Sequence, residues 1–219
     1  MKRLLERDDV NPNKRGIYRR TPLWSAAFYG HEGVVRILLG RDCVNPDMPD
    51  INGRTPLWGA AESGHGEVVK ILLGRGDVNP DKLDSDGRTP LWGAAESGHH
   101  AVTKILLGRN DVNPDTPDIY RQTPLCGAAK NGHEEVVKIL LGRDDVNPDT
   151  LDIYGQTPLW GAAENGHTGV VKLLLGRGDT NTDNSSSDRR TPLWWAANYL
   201  YARAIALLQR SLFPTAGTA

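Results

Sequence analysis

The chain has 219 residues, with 26 Lys and Arg against 27 Asp and Glu, for a formal net charge of −1. So balanced a chain has no field to draw it to nucleic acid or to an anionic membrane surface. No apolar run approaches the roughly 18 residues a membrane-spanning helix needs, and Cys43 and Cys126 stand too far apart in the chain, at unlike positions, to suggest a disulfide framework.

Met1 to Asp9 carries charge but no apolar stretch, so it does not read as a signal peptide. With both cysteines read as free thiols, a reducing compartment is expected: the cytoplasm, with the nucleus as the alternative. Leu4-Leu5-Glu6-Arg7-Asp8-Asp9-Val10-Asn11 matches Leu38-Leu39-Gly40-Arg41-Asp42-Cys43-Val44-Asn45, so residues 1–10 read as the tail of a second helix whose first helix is missing. That start is either a cut through a longer array, the favoured reading, or a degenerate cap. From there on the chain repeats itself. Thr-Pro-Leu stands at 21, 55, 89, 123, 157 and 191, always 34 residues apart, and a strict period of that length marks stacked repeats. The expected units are 11–44, 45–78, 79–112, 113–146, 147–180 and 181–213, in a single elongated domain of 1–213 with a disordered tail at 214–219.

One unit explains why copies must stack. Thr55 can cap a helix by accepting an early backbone N–H, and Pro56 suits the first helical position, where its missing donor costs nothing. Leu57, Ala60 and Ala61 make a small apolar face, and Gly64 stops the helix in the left-handed conformation. A second helix carries Val68, Val69, Ile71, Leu72 and Leu73, with Lys70 outward and Gly74 expected to end it as Gly64 ends the first. Neither helix is long enough to stand alone in water. Only a neighbouring copy can cover the apolar side of the pair.

These residues resemble the ankyrin repeat: Thr-Pro-Leu with Ala-Ala, Gly-His, Val-Val-x-x-Leu-Leu, and an Asp-Val-Asn entering the connector. The match runs over about residues 1 to 209. The resemblance implies an all-α solenoid, a right-handed stack of helix–turn–helix pairs joined by projecting β-hairpin loops. The chain departs from the family pattern where Trp24, Trp58, Trp92, Trp160 and Trp194, and once Cys126, stand in place of the usual His. The connector from Asn45 to Arg54 is also longer than usual. This Trp-bearing variety of 34 residues resembles arrays in large fungal proteins.

The first full repeat differs at Phe28 and Tyr29, where later copies have Glu62-Ser63, Glu96-Ser97, Lys130-Asn131 and Glu164-Asn165. In ankyrin arrays this pair lines the concave face, so Phe28 and Tyr29 are an aromatic anchor for a partner or a cover for a bare edge. The connector tips drift from copy to copy. Tyr18, Tyr120 and Tyr154, flanked by Arg and Gln, have the composition of a binding rim, whereas Ile17, Ile51, Ile119 and Ile153 are expected to pack along neighbouring tips. The sixth repeat, with Asn184-Ser185-Ser186-Ser187-Asp188 and Tyr199-Leu200-Tyr201, reads as a polar C-terminal cap.

Ladders of equivalent residues follow from stacking, with rungs about 8–10 Å apart. His31, His65, His99, His133 and His167 cannot converge on one ion at that spacing; each is expected to pin the turn between its own helices. Asp47, Asp81, Asp115 and Asp149 fail as paired catalytic carboxylates for the same reason. The arginines from Arg41 to Arg177 are expected to be neutralised by Asp42, Asp77, Asp111, Asp144 and Asp179, and Glu134 to pair with Lys138. Each helical Gly beside a Trp (Gly59, Gly93, Gly127, Gly161) costs up to about 1 kcal/mol against Ala, so the indole of one repeat is expected over the Gly-bearing helix of the next. Trp195, at that position in the last copy, fits, and Cys126 should leave a notch between Trp92 and Trp160, open or collapsed.

Taken together these features point to a non-enzyme with no cofactor and no metal: a monomeric interaction or scaffold module that binds another protein and neither nucleic acid nor membrane. The expected contact residues are Tyr18, Phe28, Tyr29, Tyr120, Lys130, Asn131, Tyr154 and Asn165. A stoichiometric inhibitor that occludes a partner enzyme is the alternative.

Overall fold

The computed structural model describes residues 11–177 and 180–182, together with Thr191, Trp194 and Ala197. The leading helix at 1–10, Trp195, most of the sixth repeat and the tail at 214–219 lie outside the described residues.

Five helix pairs follow one another: α1 (Pro22–Phe28) and α2 (Glu32–Leu39), α3 (Pro56–Glu62) and α4 (Gly66–Leu73), α5 (Pro90–Glu96) and α6 (His100–Leu107), α7 (Pro124–Lys130) and α8 (Glu134–Leu141), α9 (Pro158–Glu164) and α10 (Thr168–Gly176). Every first helix starts as its sequence requires. The Thr21 hydroxyl accepts the Trp24 N–H at 3.1 Å, and Thr55, Thr89 and Thr157 cap their helices in the same way, each followed by Pro. The turn between helices is closed by a left-handed glycine, with φ of +71° to +77° at Gly30, Gly64, Gly98, Gly132 and Gly166. The second helices end differently. Gly74 is right-handed, at φ −69°; a Cβ there would meet the Ile71 carbonyl oxygen at 3.3 Å, so glycine is needed for closeness to the last carbonyls rather than for a left-handed turn.

First helices pack on first helices and second on second: α1 against α3, α3 against α5, α2 against α4, and so on down the stack. The core is one continuous seam. Leu23, Leu57, Leu91, Leu125 and Leu159 are buried on the inner layer, and Val35, Val69, Leu72, Val102, Leu106, Val137 and Leu140 on the outer. Burying one such side chain is worth about 1.5–3 kcal/mol, and each seam position is shared by two repeats. This is the expected solenoid. The connectors hold no β-strand among the described residues; the first tip is a 3-10 turn (Ile17–Arg19) and the others are tight turns, which corrects the expectation of β-hairpins. One exposed bond per junction is too little pairing to make a ladder.

The expected indole–glycine contact exists at the first two junctions. A Cβ on Gly59 would lie 3.5 Å from Trp24 Cζ2, and one on Gly93 would lie 3.5 Å from Trp58 Cε2 and Cζ2. At Gly127 and Gly161 the nearest atoms belong to Glu96 and Lys130 instead. All these distances are ordinary van der Waals contact, so the indole does not require the missing side chain. Gly93→Ala should therefore stabilise the fold by about 1 kcal/mol, the helix-propensity difference. A raised urea midpoint with an unchanged slope is the expected reading; a lowered midpoint would show that the indole needs glycine beneath it.

Candidate functional site

Four of the five described connector tips are built around a buried carboxylate; the first has Gly16 in its place. Asp50 Oδ1 accepts the backbone N–H groups of Asn52 at 2.9 Å and Arg54 at 3.0 Å, and the Asp50 N–H closes the turn on the Arg54 carbonyl at 3.0 Å. Asp84, Asp118 and Asp152 repeat the arrangement. The turn needs a left-handed residue, supplied by Gly53, Gly87 and Gly155. In two tips it is supplied by arginine: Arg19 at φ 59° and Arg121 at φ 63°, with Tyr18 beside Arg19 at φ 58°. An L-residue in this region costs about 1–2 kcal/mol.

Neighbouring tips are tied to each other by backbone. The Ile51 N–H donates to the Tyr18 carbonyl at 2.8 Å, Ser85 to Asn52 at 2.8 Å, Ile119 to Asp86 at 2.9 Å and Ile153 to Tyr120 at 3.0 Å. The result is one strip along the array, and large apolar side chains stand out from it. Tyr18 is 63% exposed, Tyr120 49% and Tyr154 54%. The isoleucines do not pack along neighbouring tips as expected. Ile17, Ile51, Ile119 and Ile153 are all about half exposed or more, because each tip is only a few residues wide and offers no second layer to bury them.

Beneath the strip runs a ladder made by the Asn-Pro-Asp segments. Asn45 Oδ1 accepts the Asp47 N–H, and Asp47 Oδ2 accepts the Asn79 N–H of the next repeat at 2.8 Å. Asp81 reaches Asn113 and Asp115 reaches Asn147 at 2.7 Å. Burial raises the pKa of Asp47, Asp81 and Asp115, and the backbone bond lowers it only in part. The folded chain therefore holds these protons more tightly than the unfolded chain. Their contribution to stability is present at acid pH and is lost as pH rises from the unfolded value of about 3.9 through the raised folded value. A triple variant, Asp47→Asn, Asp81→Asn and Asp115→Asn, keeps each acceptor and drops the charge. It should gain stability over the natural chain as pH climbs from 3 to 7, read by urea unfolding at each pH; an advantage that shrinks with rising pH would reverse the assignment.

A cationic layer lies over the indoles at the base of the first three tips. The guanidinium of Arg20 is 3.8 Å from the Trp24 ring centroid, that of Arg54 3.9 Å from Trp58, and that of Arg88 4.9 Å from Trp92. Arg54 Nε and Arg88 Nε also face Asp84 Oδ2, at 3.6 and 3.2 Å. Gln122 and Gln156 take these places in the fourth and fifth repeats. Cys126 leaves no open notch: its buried thiol lies 3.4 Å from the Thr123 hydroxyl and 3.7 Å from that of Thr150. A shallow cleft of about 300 Å³ opens beside it, lined by Arg121, Thr123, Asp149 and Thr150.

The remaining contact residues fall at the far ends of the first helices, a helix length from the tips. Tyr29 is exposed, with its edge on Phe28, which stacks on Trp24 at 5.1 Å and lies over Gly59. Lys130 is exposed at the end of α7. The amides of Asn131 and Asn165 donate to the Gly127 and Gly161 carbonyls at 3.0 and 2.9 Å, which ties them to their own helix ends. The structure thus separates the eight residues into a tip group and a helix-end group. Missing from both were the aliphatic tips and the left-handed Arg19 and Arg121. Reading Arg at the register of Gly53, Gly87 and Gly155 is the signal that could have found the arginines.

Two ladders differ in detail from expectation. The histidines do not hold their own turns. His99 Nε2 donates to the Glu62 carbonyl of the preceding repeat at 2.8 Å, His133 to Glu96 at 2.8 Å and His167 to Lys130 at 3.0 Å. A carbonyl can only accept, which fixes the proton on Nε2. On the back, Arg75, Arg109 and Arg143 form two-point pairs with Asp77, Asp111 and Asp145, the last in place of Asp144. Lys138 pairs with Glu135 at 2.6 Å rather than with Glu134. Among the described residues no helix is long and apolar enough to cross a membrane, and no cluster of His, Cys, Asp or Glu could hold a metal ion.

Comparison with known families agrees with this geometry. A family model described as "Ankyrin repeats (3 copies)" matches residues 1–82, 75–152 and 143–212. No curated protein matches the chain.

Proposed function

Because the chain belongs to the ankyrin-repeat family, whose repeats generally mediate protein–protein interaction, we propose that it binds a partner protein through the strip of connector tips and the ends of the first helices. What supports the reading is the rim. Tyr120 and Tyr154 stand out from turns whose backbone is pinned by buried Asp118 and Asp152, and the Tyr18 carbonyl is held by the Ile51 N–H of the next tip. Exposed aromatics on a fixed backbone lose little entropy on contact, so more of each contact appears as affinity. On this reading Phe28, Tyr29, Lys130, Asn131 and Asn165 widen the contact onto the concave side, and the chain acts as a recognition or scaffold module without turnover.

The test is affinity capture with the full chain and with Tyr120→Ala and Tyr154→Ala combined. Both side chains are surface groups, so the variant should fold normally. Loss of the captured protein by the variant is the expected result. Equal capture would move the contact to the helix ends or the back.

A further inference from the structure

We propose that the rim takes an extended, acidic segment of its partner, with apolar side chains between the tyrosines and carboxylates on the arginines; the inference rests on the partner-binding reading above and names the partner's chemistry.

The first support is a charge inventory. Every carboxylate of the described tip segments, from the Asn-Pro entry to the residue before the capping Thr, is engaged by the fold, whereas Asp42 and Asp144 ahead of them are exposed and make no hydrogen bond or ion pair among the described residues. Asp50, Asp84, Asp118 and Asp152 are buried on tip N–H groups, and Asp47, Asp81, Asp115 and Asp149 hold the Asn N–H of the next repeat. Asp86 pairs with Arg88. The cations are not so engaged. Lys14, Arg15, Arg19, Lys82 and Arg121 are exposed and make no side-chain hydrogen bond or ion pair among the described residues. The bonded carboxylates keep their charge, but the charged side chains of the tips left without a fold partner are Lys82 and Arg121 on the later tips and Lys14, Arg15 and Arg19 on the first. A carboxylate laid on one of these cations gains a charge-assisted pair that the fold has not already filled.

The second support is strain. Arg19 and Arg121 occupy a left-handed position that glycine fills in the other three tips. Glycine there would be free of that strain. Each arginine stands next to an exposed tyrosine, Tyr18 and Tyr120, and the fifth tip keeps its tyrosine with glycine. Strain held at an exposed position points to a use for the side chain outside the fold.

The third support is dimension. Repeats stack about 8–10 Å apart and an extended chain rises about 3.3 Å per residue, so a bound strand advances about three residues per repeat. From Tyr18 to Tyr154, four repeats on, a segment of about 12 residues reaches every tip.

The experiment selects binders from a random 12-residue peptide library displayed on phage, on the immobilised full chain, and measures the enriched peptides by fluorescence anisotropy. The expected peptides carry net negative charge with aliphatic or aromatic residues between the carboxylates. Their affinity should fall on going from 50 to 500 mM salt, and about fivefold or more on a chain with Arg19→Gly and Arg121→Gly together. That variant relieves two strained residues, so its thermal midpoint should be equal or higher, and lost binding cannot be lost folding. Enriched peptides that are basic or uncharged, or acidic peptides held equally by the double-glycine chain, overturn the inference. If those peptides instead lose binding with Tyr29→Ala and Lys130→Ala, partner binding stands and only the rim chemistry falls. No enrichment at all overturns the inference, and if affinity capture by the full chain is also empty, the partner-binding reading falls with it.

Discussion

Replacing Gly64 with alanine should destabilise the array by about 3 kcal/mol, one of the largest effects available from a single methyl group. Two costs combine. Gly64 sits at φ +77°, where an L-residue costs about 1–2 kcal/mol. The new Cβ would also lie 2.6 Å from His99 Nδ1 and 2.7 Å from Cε1, an overlap that forces the ring off its seat, worth about 1–3 kcal/mol. The ring cannot move freely, because its Nε2 is committed to the Glu62 carbonyl at 2.8 Å. One turn of one repeat is therefore clamped between the glycine and the histidine that belongs to the next. His99→Ala alone should cost about 1–2 kcal/mol for the lost bond and contact. The two substitutions together should cost less than their sum, since removing the ring removes the overlap. Urea unfolding of the two singles and the double forms a cycle. Strict additivity would mean that the ring does not rest on the turn. Gly98→Ala against His133, where the distances are the same, is the built-in repeat of the experiment.

That clamp marks a boundary in what the sequence reveals. Start and stop signals are local, so the Thr-Pro entries and the left-handed Gly64 could be read from one copy, and the 34-residue period then forced the stack. The direction of the histidine could not be read. A ring that closes its own turn and a ring that closes the previous one give the same periodic pattern; only the observed 37-residue separation of His99 from Glu62 decides between them. Partner choice among adjacent like charges is equally silent: Asp144 and Asp145 are chemically alike, and the fork of Arg143 reaches only the second. The rim lies between these cases. Its tyrosines were legible as polar-flanked aromatics in drifting tips. Its isoleucines were misjudged because an apolar residue in a short turn has no neighbour that composition can supply.

Removing the buried carboxylate of Asp84 should be the second large loss, about 3 kcal/mol for Asp84→Ala. The side chain is 1% exposed, accepts three hydrogen bonds and faces a second guanidinium. Oδ1 takes the backbone N–H groups of Asp86 and Arg88, both at 2.9 Å, and Oδ2 faces Arg54 Nε at 3.6 Å and Arg88 Nε at 3.2 Å. Alanine leaves two tip N–H groups without their acceptor, at about 1 kcal/mol each, and takes the buried partner from two guanidiniums held against indole rings, leaving Arg88 with Asp86 and Arg54 with Glu62 at 3.8 Å. Asp84→Asn keeps the Oδ1 acceptor and should lose only the ionic share, about 1–2 kcal/mol. Asp118 separates the two contributions further. It makes the same backbone bonds, to Tyr120 at 2.9 Å and Gln122 at 2.8 Å, without a direct arginine contact, and burial raises its pKa. Asp118→Ala should therefore cost less than Asp84→Ala, and Asp118→Asn should cost nothing at pH 7, since it drops a charge the site holds at a penalty. The ordering Asp84→Ala, then Asp118→Ala, then Asp118→Asn, measured as urea midpoints at pH 7, is the prediction. Equal losses for the two alanine variants would mean that the guanidinium layer contributes nothing to the fold and that the backbone bonds alone hold each tip in place.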